Sequence, residues 1–226
     1  MAANNYNYDL IENPSARCAC MLLLDVSYSM HGDPIEQLNK GVNQFIEEVC
    51  LDDFASFAVE LGVITFGTTV TELIPIQSIS KVNTPVFTAS GATSMGSAIL
   101  RAIKVLEARK QEYKANGVPY YQPWIVIMTD GEPTDDMVYP QAANQLRRLG
   151  ESDKFLVFGI GIGDHCNLRK LALACPSNRP PKRLDGYRFR DFFKWLSASM
   201  AQVSLSTPGV DYIDVPSTRG WENIQI

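Results

Sequence analysis

The 226-residue chain is 46% hydrophobic and 20% charged, a balance that supplies a sizeable core and excludes a disordered or fibrous protein. Its formal net charge is −5, and its basic residues fall in scattered pairs such as Arg147-Arg148 and Arg109-Lys110, which argues against a nucleic-acid surface. No apolar run approaches the ~20 residues of a membrane-spanning helix, and Met1 to Asn13 is polar without a signal-peptide core, so a cytoplasmic protein is expected.

The first structured element is the apolar run Cys18-Ala-Cys-Met-Leu-Leu-Leu-Asp25, which ends in a carboxylate and predicts a strand covered on both faces. Cys18 and Cys20 alternate along it and share one face. Behind Pro34, a good first-turn residue, Ile35, Leu38, Val42, Phe45, Ile46 and Val49 recur at helical spacing. Phe57 to Phe66 predicts a second strand, and Gly67-Thr68-Thr69 a tight turn into an antiparallel edge strand over Val70 to Ile76. Ile99, Ala102, Ile103 and Leu106 then mark a helix, and Trp124 to Thr129 a strand. Ala142 to Leu149 predicts a helix, Phe155 to Ile162 a strand, and Leu168 to Ala174 a short helix. The basic cluster Arg179-Pro-Pro-Lys182-Arg183 reads as a solvated loop. Phe192, Leu196, Met200 and Val203 give a final helix one apolar face.

Strands alternating with helices imply right-handed crossovers and an α/β, doubly wound fold: a mostly parallel central sheet with one antiparallel edge strand and helices on both faces. Residues 1–17 read as an N-terminal extension, 18–205 as one domain, and 206–226 as a tail whose Val210, Tyr212, Ile213, Val215, Trp221 and Ile224 are too apolar for a solvated linker. The five cysteines, Cys18, Cys20, Cys50, Cys166 and Cys175, are odd in number and contain no C-x-x-C pair, so free thiols are expected.

In such sheets ligands bind at the carboxyl ends of the strands, beside the point where strand order reverses. Asp25-Val-Ser27-Tyr-Ser29 leaves the end of the first strand with alternate oxygen-bearing side chains, although alone these residues would serve as turn formers or caps. Gly91-Ala-Thr93-Ser-Met-Gly96 offers hydroxyls before a helix, where Thr93 or Ser94 could simply cap it. Thr129-Asp130-Gly131 again puts a carboxylate at a strand end, and an Asp-Gly turn would explain it equally well. The conjunction carries the argument, because two acidic strand ends and one hydroxyl-rich loop all fall on one edge of one sheet. Two carboxylates in one crevice repel unless protonated or neutralised, and a hard divalent cation with oxygen ligands removes the conflict. Asp25, Ser27, Ser29, Thr93 and Asp130 would leave an octahedral Mg²⁺ an open position for water or for a partner's carboxylate.

These five residues resemble, in order and context, the metal-ion-dependent adhesion site of von Willebrand factor A (VWA) domains, Asp-x-Ser-x-Ser followed by a distant Thr and a distant Asp. Glu12-Asn-Pro-Ser-Ala-Arg-Cys18, Tyr120-Tyr-Gln-Pro-Trp124, Asp130-Gly-Glu-Pro-Thr-Asp135 and Phe192-Phe-Lys-Trp-Leu-Ser197 are similar to the bacterial tellurite-resistance-associated, TerY-like type. The resemblance implies a non-catalytic adaptor that binds Mg²⁺ or Mn²⁺. Ser27, Ser29 and, in a tight-binding state, Thr93 would ligate directly, with Asp25 and Asp130 acting largely through water. It also implies a protein partner that binds through an acidic residue completing the metal shell, such as a kinase or phosphatase of the same stress-response gene cluster. The chain departs from the usual pattern at Tyr28, where glycine is commonest.

The enzymatic alternative is a Mg²⁺-dependent phosphatase of the haloacid dehalogenase type, which also begins with a strand ending in Asp. That chemistry needs a second Asp two residues on, where this chain has Ser27, a poor acid or base near neutral pH. A serine hydrolase would need a histidine beside a nucleophile, and His31 and His165 are the two candidates, with no Gly-x-Ser-x-Gly elbow. Gly159-Ile-Gly-Ile-Gly163 lies within and at the end of a strand without the spacing of a dinucleotide fingerprint, and its glycines fit close backbone approach better.

Overall fold

The computed structural model describes residues 10, 13, 15–164, 166–209, 216–218 and 221. Strands β1 (Cys18–Asp25), β2 (Val59–Phe66), β3 (Val70–Ser78), β4 (Trp124–Thr129), β5 (Leu156–Gly161) and β6 (Lys182–Arg183) form one sheet in the order β3-β2-β1-β4-β5-β6. β3 alone is antiparallel to its neighbour, and every other pairing is parallel. The order reverses at β1, which lies between β2 and β4, so the carboxyl ends of β1 and β4 flank the topological switch point.

Among the described residues five helices lie between the strands, α1 (Asp33–Leu51), α2 (Ala55–Ala58), α3 (Met95–Ala115), α4 (Tyr139–Glu151) and α5 (Leu168–Ala172), and α6 (Phe189–Leu205) follows the last strand. Every residue of β1, β2 and β4 is buried, as the continuous apolar runs require when both faces of a sheet are covered. The strand period of two divides β1 between two cores. Cys18, Cys20, Leu22 and Leu24 pack with Leu38, Val42, Phe45 and Val49 of α1 and with Phe192, Phe193 and Leu196 of α6. Ala19, Met21 and Leu23 pack with Ile99, Ala102 and Leu106 of α3 and with Ala142 and Leu146 of α4 on the opposite face.

Several boundaries depart from the sequence reading, most by one or two residues. β2 begins at Val59 rather than Phe57, because Ala55–Ala58 form a helical turn held by Asp52, whose Oδ1 accepts from Phe54 N (3.0 Å) and Ala55 N (2.7 Å). α3 and α4 each begin three or four residues before their first periodic apolar residue. The basic cluster near residue 180 is not a solvated loop: Lys182–Arg183 is the far edge strand. The Arg183 guanidinium donates to the carbonyls of Gly163 and Cys166, and Arg179 lies over the Phe158 ring at 5.6 Å. Two charged residues are too short a strand to show any alternation.

Of the tail, Trp221 is fully buried, 5.0 Å edge-to-face from Phe192 and 5.4 Å from Trp195. Its carbonyl accepts from Asp185 N, and Trp195 Nε1 donates to Pro216 O at 2.6 Å. Val210, Tyr212, Ile213, Val215 and Ile224 lie outside the described residues, as does His165.

Candidate metal centre

β1 delivers Asp25 to the sheet edge with its carboxylate fully buried. One oxygen, Oδ1, accepts from Ser27 N at 2.8 Å, which turns the chain as it leaves the strand. The other, Oδ2, accepts from Thr129 Oγ1 at 2.5 Å, linking the ends of β1 and β4. After that turn, Tyr28–Met30 form one 3₁₀ turn, which brings the two serine hydroxyls to 3.0 Å of each other. Ser29 Oγ donates in turn to Asp130 Oδ1 at 2.8 Å, so Ser27, Ser29 and Asp130 form one connected string of oxygens.

Thr93 approaches from a third element and is almost fully buried. A Cβ placed on Gly131 would lie 3.6 Å from Thr93 Oγ1 and 3.9 Å from Ser29 Oγ, so the two hydroxyls face the same small space beside the Asp130-Gly131 turn. The loop carrying Thr93 is tied to the strand ends by Ser90 N to Val26 O (2.7 Å), Tyr28 N to Gly91 O (3.0 Å) and Ser94 N to Gly67 O (3.1 Å). Gly91 makes that course possible: its φ is +80°, and a side chain there would meet Thr68 Oγ1 at 2.1 Å. The structure thus brings Asp25, Ser27, Ser29 and Asp130 into one hydrogen-bonded set, with Thr93 at its side.

The electrostatics of this corner are unbalanced. Burial pushes the Asp25 carboxyl up from 3.8 to about 6, against the hydrogen bonds from Ser27 and Thr129 and with added repulsion from Asp130. Burial raises Asp130 too, although Ser29 donates to it. Among the described residues no lysine, arginine or histidine figures among the groups acting on either carboxylate. No side chain among the described residues supplies the positive charge that two adjacent carboxylates call for, and the oxygen-only donor set of two carboxylates and three hydroxyls fits a hard divalent cation. Among the described residues no three His, Cys, Asp or Glu side chains cluster as a carboxylate- or thiolate-rich metal site would require, so any cation here depends on the hydroxyls.

Tyr28 does not obstruct the loop. Asp153 is the one non-glycine residue with positive φ among those described, so Tyr28 sits in ordinary backbone space with its ring exposed and stacked 5.9 Å from His31. His31 therefore faces an aromatic ring rather than a nucleophile. Gly159 and Gly161 admit Cys175 and Cys166, whose sulfurs would lie 2.6 and 2.9 Å from added Cβ atoms, as close backbone approach predicts.

Sequence reasoning missed Asp135 and Thr134. Asp135 caps the start of α3 from the loop after β4, accepting from Gly96 N (3.1 Å), Ser97 N (2.8 Å) and Ser97 Oγ (3.0 Å), whereas Ser94, at the cap position, makes no side-chain cap bond. A carboxylate five residues past Asp130 was the available signal, but local capping rules look within one loop and not across two.

A family model described as the von Willebrand factor type A domain matches residues 20–192. The inter-alpha-trypsin inhibitor heavy chain H3 of Bos taurus is 30% identical over 153 residues, 65% of this chain and 16% of that protein. The chain therefore spans a small part of the length of that relative. Among solved structures, the pilus adhesin SpaC of Lactobacillus rhamnosus GG superposes with a TM-score of 0.64 at 12% identity, over 83% of this chain and 30% of its own. A von Willebrand factor type A protein from Catenulispora acidiphila gives 0.57 at 13% identity, over 83% of this chain and 43% of its own. At such identities the structural likeness speaks for the fold. The haloacid dehalogenase alternative finds no support: the family match is to another fold family, and Ser27 spends its hydroxyl on Ser29. Among the described residues no helix is long and apolar enough to cross a membrane.

Proposed function

Because the chain belongs to the von Willebrand factor type A domain family, we propose that it is a non-catalytic interaction module whose partner binds through a divalent cation at the β1/β4 edge. Asp25, Ser27, Ser29, Thr93 and Asp130 would hold Mg²⁺ or Mn²⁺ directly or through water, and a partner's Asp or Glu would complete the shell. The single observation that carries this reading is the buried Asp25 beside the Ser27–Ser29–Asp130 string, two carboxylates with no basic side chain among the described residues to balance them.

The role of the chain's own residues follows from their placement. Thr129 and the Ser27 amide fix both oxygens of Asp25, so that carboxylate supplies charge and orients water rather than swinging into the partner. Ser29 and Asp130 are more open than Asp25 and face solvent, where a partner would arrive. A bound cation would supply the positive charge that draws a carboxylate to an otherwise acidic protein.

The finer reading is a TerY-like adaptor in a bacterial stress response, cytoplasmic, serving a kinase or phosphatase of its own gene cluster. The matches at Tyr120-Tyr-Gln-Pro-Trp124 and Asp130-Gly-Glu-Pro-Thr-Asp135 support it. Calorimetry with Mg²⁺ and Mn²⁺ and capture of those candidate partners with and without EDTA test the two levels. Asp25→Ala, shown folded by circular dichroism, is expected to lose cation and partner together. Partner capture that persists both in EDTA and in folded Asp25→Ala would show that the contact lies elsewhere.

A further inference from the structure

Two loops bear the cation-site groups Thr93 and Asp130, and they are fastened to each other by contacts that none of the five site residues makes through its own side chain. Thr93 N donates to Thr134 Oγ1 at 3.0 Å and Thr134 N donates to Thr93 O at 2.9 Å, a reciprocal pair across the gap. Asp135, the next residue, accepts three hydrogen bonds from the first turn of α3, which begins two residues after Thr93. Its backbone carbonyl meanwhile accepts from Val138 N (2.8 Å) and Tyr139 N (2.9 Å), anchoring the same residue to the start of α4. Gly96 presses so closely on that start that an added Cβ would lie 2.6 Å from Tyr139 Cα.

We infer that Thr134 and Asp135 are positioning residues that lock the Thr93 loop to the Asp130 loop, so that the Thr93 hydroxyl is held ready at the cation site before any ligand arrives. This rests on the cation reading above and deepens it. Two features separate the arrangement from ordinary helix capping. α3 is capped from a different loop rather than by Ser94, and the capping residue is covalently joined to the residue that clasps Thr93 itself. A carboxylate at a helix N-terminus also interacts favourably with the exposed amides there, so the clasp has an electrostatic hold beyond its hydrogen bonds. Outer-shell partners of this kind fix ligand orientation, and their removal typically weakens metal binding about 10- to 100-fold.

The test is a double-mutant cycle on Mn²⁺ affinity measured by calorimetry, with Asp135→Ala and Thr93→Ala made singly and together. Asp135→Ala in the wild-type background is expected to weaken Mn²⁺ about ten-fold. In the Thr93→Ala background the same change should cost less than about two-fold, because the residue it positions has already gone. Asp135→Asn, which keeps an oxygen acceptor, should recover part of the loss. If Asp135→Ala fails to fold by circular dichroism, Thr134→Val takes its place in the cycle, since it removes the acceptor for Thr93 N and leaves the α3 cap intact. An equal loss in both backgrounds would mean that the residue acts on stability alone and would overturn the inference, as would no loss in either. Wild-type protein that takes up neither Mn²⁺ nor Mg²⁺ would refute the cation site itself, and the positioning role with it.

Discussion

Gly96→Ala sets two well-known effects against each other at one atom. In an isolated helix the change favours folding by up to about 1 kcal/mol, because alanine loses less backbone entropy than glycine. Here the new methyl would sit 2.6 Å from Tyr139 Cα and 2.7 Å from Tyr139 N, both backbone atoms that no rotamer change can move. Relieving the contact requires the first turn of α4 to withdraw from α3, in a core where overpacking costs about 1–3 kcal/mol. The same withdrawal stretches the Asp135 bonds to Gly96 N and Ser97 N, adding about 1 kcal/mol for a weakened cap. The net expectation is a destabilisation of about 1–3 kcal/mol, the sum of the two costs less the propensity gain. For a chain of this size that lowers the midpoint of thermal unfolding by about 2–4 °C per kcal/mol. Urea unfolding followed by circular dichroism, with unchanged m-value, is the assay. An alanine variant more stable than the parent would show that α3 and α4 do not approach at Gly96 and would remove the packing half of the clasp.

Glu60 is buried between Arg109 (Nη2 to Oε1, 2.6 Å), Arg17 (3.5 Å) and the Tyr113 hydroxyl (2.5 Å) at the end of the sheet remote from the candidate site. Glu60→Ala should cost about 3 kcal/mol, the lower end for a broken buried pair, because Glu112 still holds Arg109 at 2.6 Å; a loss under about 1 kcal/mol in urea would refute the network's role. All five cysteines are free, and burial pushes Cys18 and Cys175 up to about 12 and Cys166 to about 11, so their thiolates are scarce at pH 8. A thiol reagent at that pH should therefore label the exposed Cys50 quickly in native protein and all five after unfolding; fast labelling of several in the folded state would contradict the burial. Trp221→Ala should destabilise by about 3 kcal/mol, the low end for a buried Trp, since its indole Nε1 is buried without a hydrogen-bond partner among the described residues. Unfolding unchanged by this substitution would mean that the tail does not contribute to the core.

Much of the fold was legible because the chain's periodicities do not conflict. The run from Cys18 to Asp25 reads as a strand covered twice, and the spacing from Ile35 to Val49 as an amphipathic helix, which the structure packs on one of that strand's faces. Order along the chain implied parallel crossovers, and parallel crossovers implied that Asp25 and Asp130 would emerge on one edge, as they do. Hence the serines, Thr93 and both aspartates were nameable from spacing and resemblance.

Other features depend on which distant segments meet, and no local pattern encodes that. The pair Arg109-Lys110 looks like solvated charge in sequence, yet Arg109 is drawn inside by Glu60, 49 residues away. Lys182 and Arg183 form a strand only because β5 presents a free edge beside them, and strand propensity is mostly a matter of such neighbours. The hold of Asp135 on the first turn of α3, 38 and 39 residues earlier in the chain, exists only once β4 has been placed beside β1. Periodicity is a property of one segment and survives in the sequence, whereas a hydrogen bond or ion pair between segments belongs to their packing and becomes visible only when both are in place.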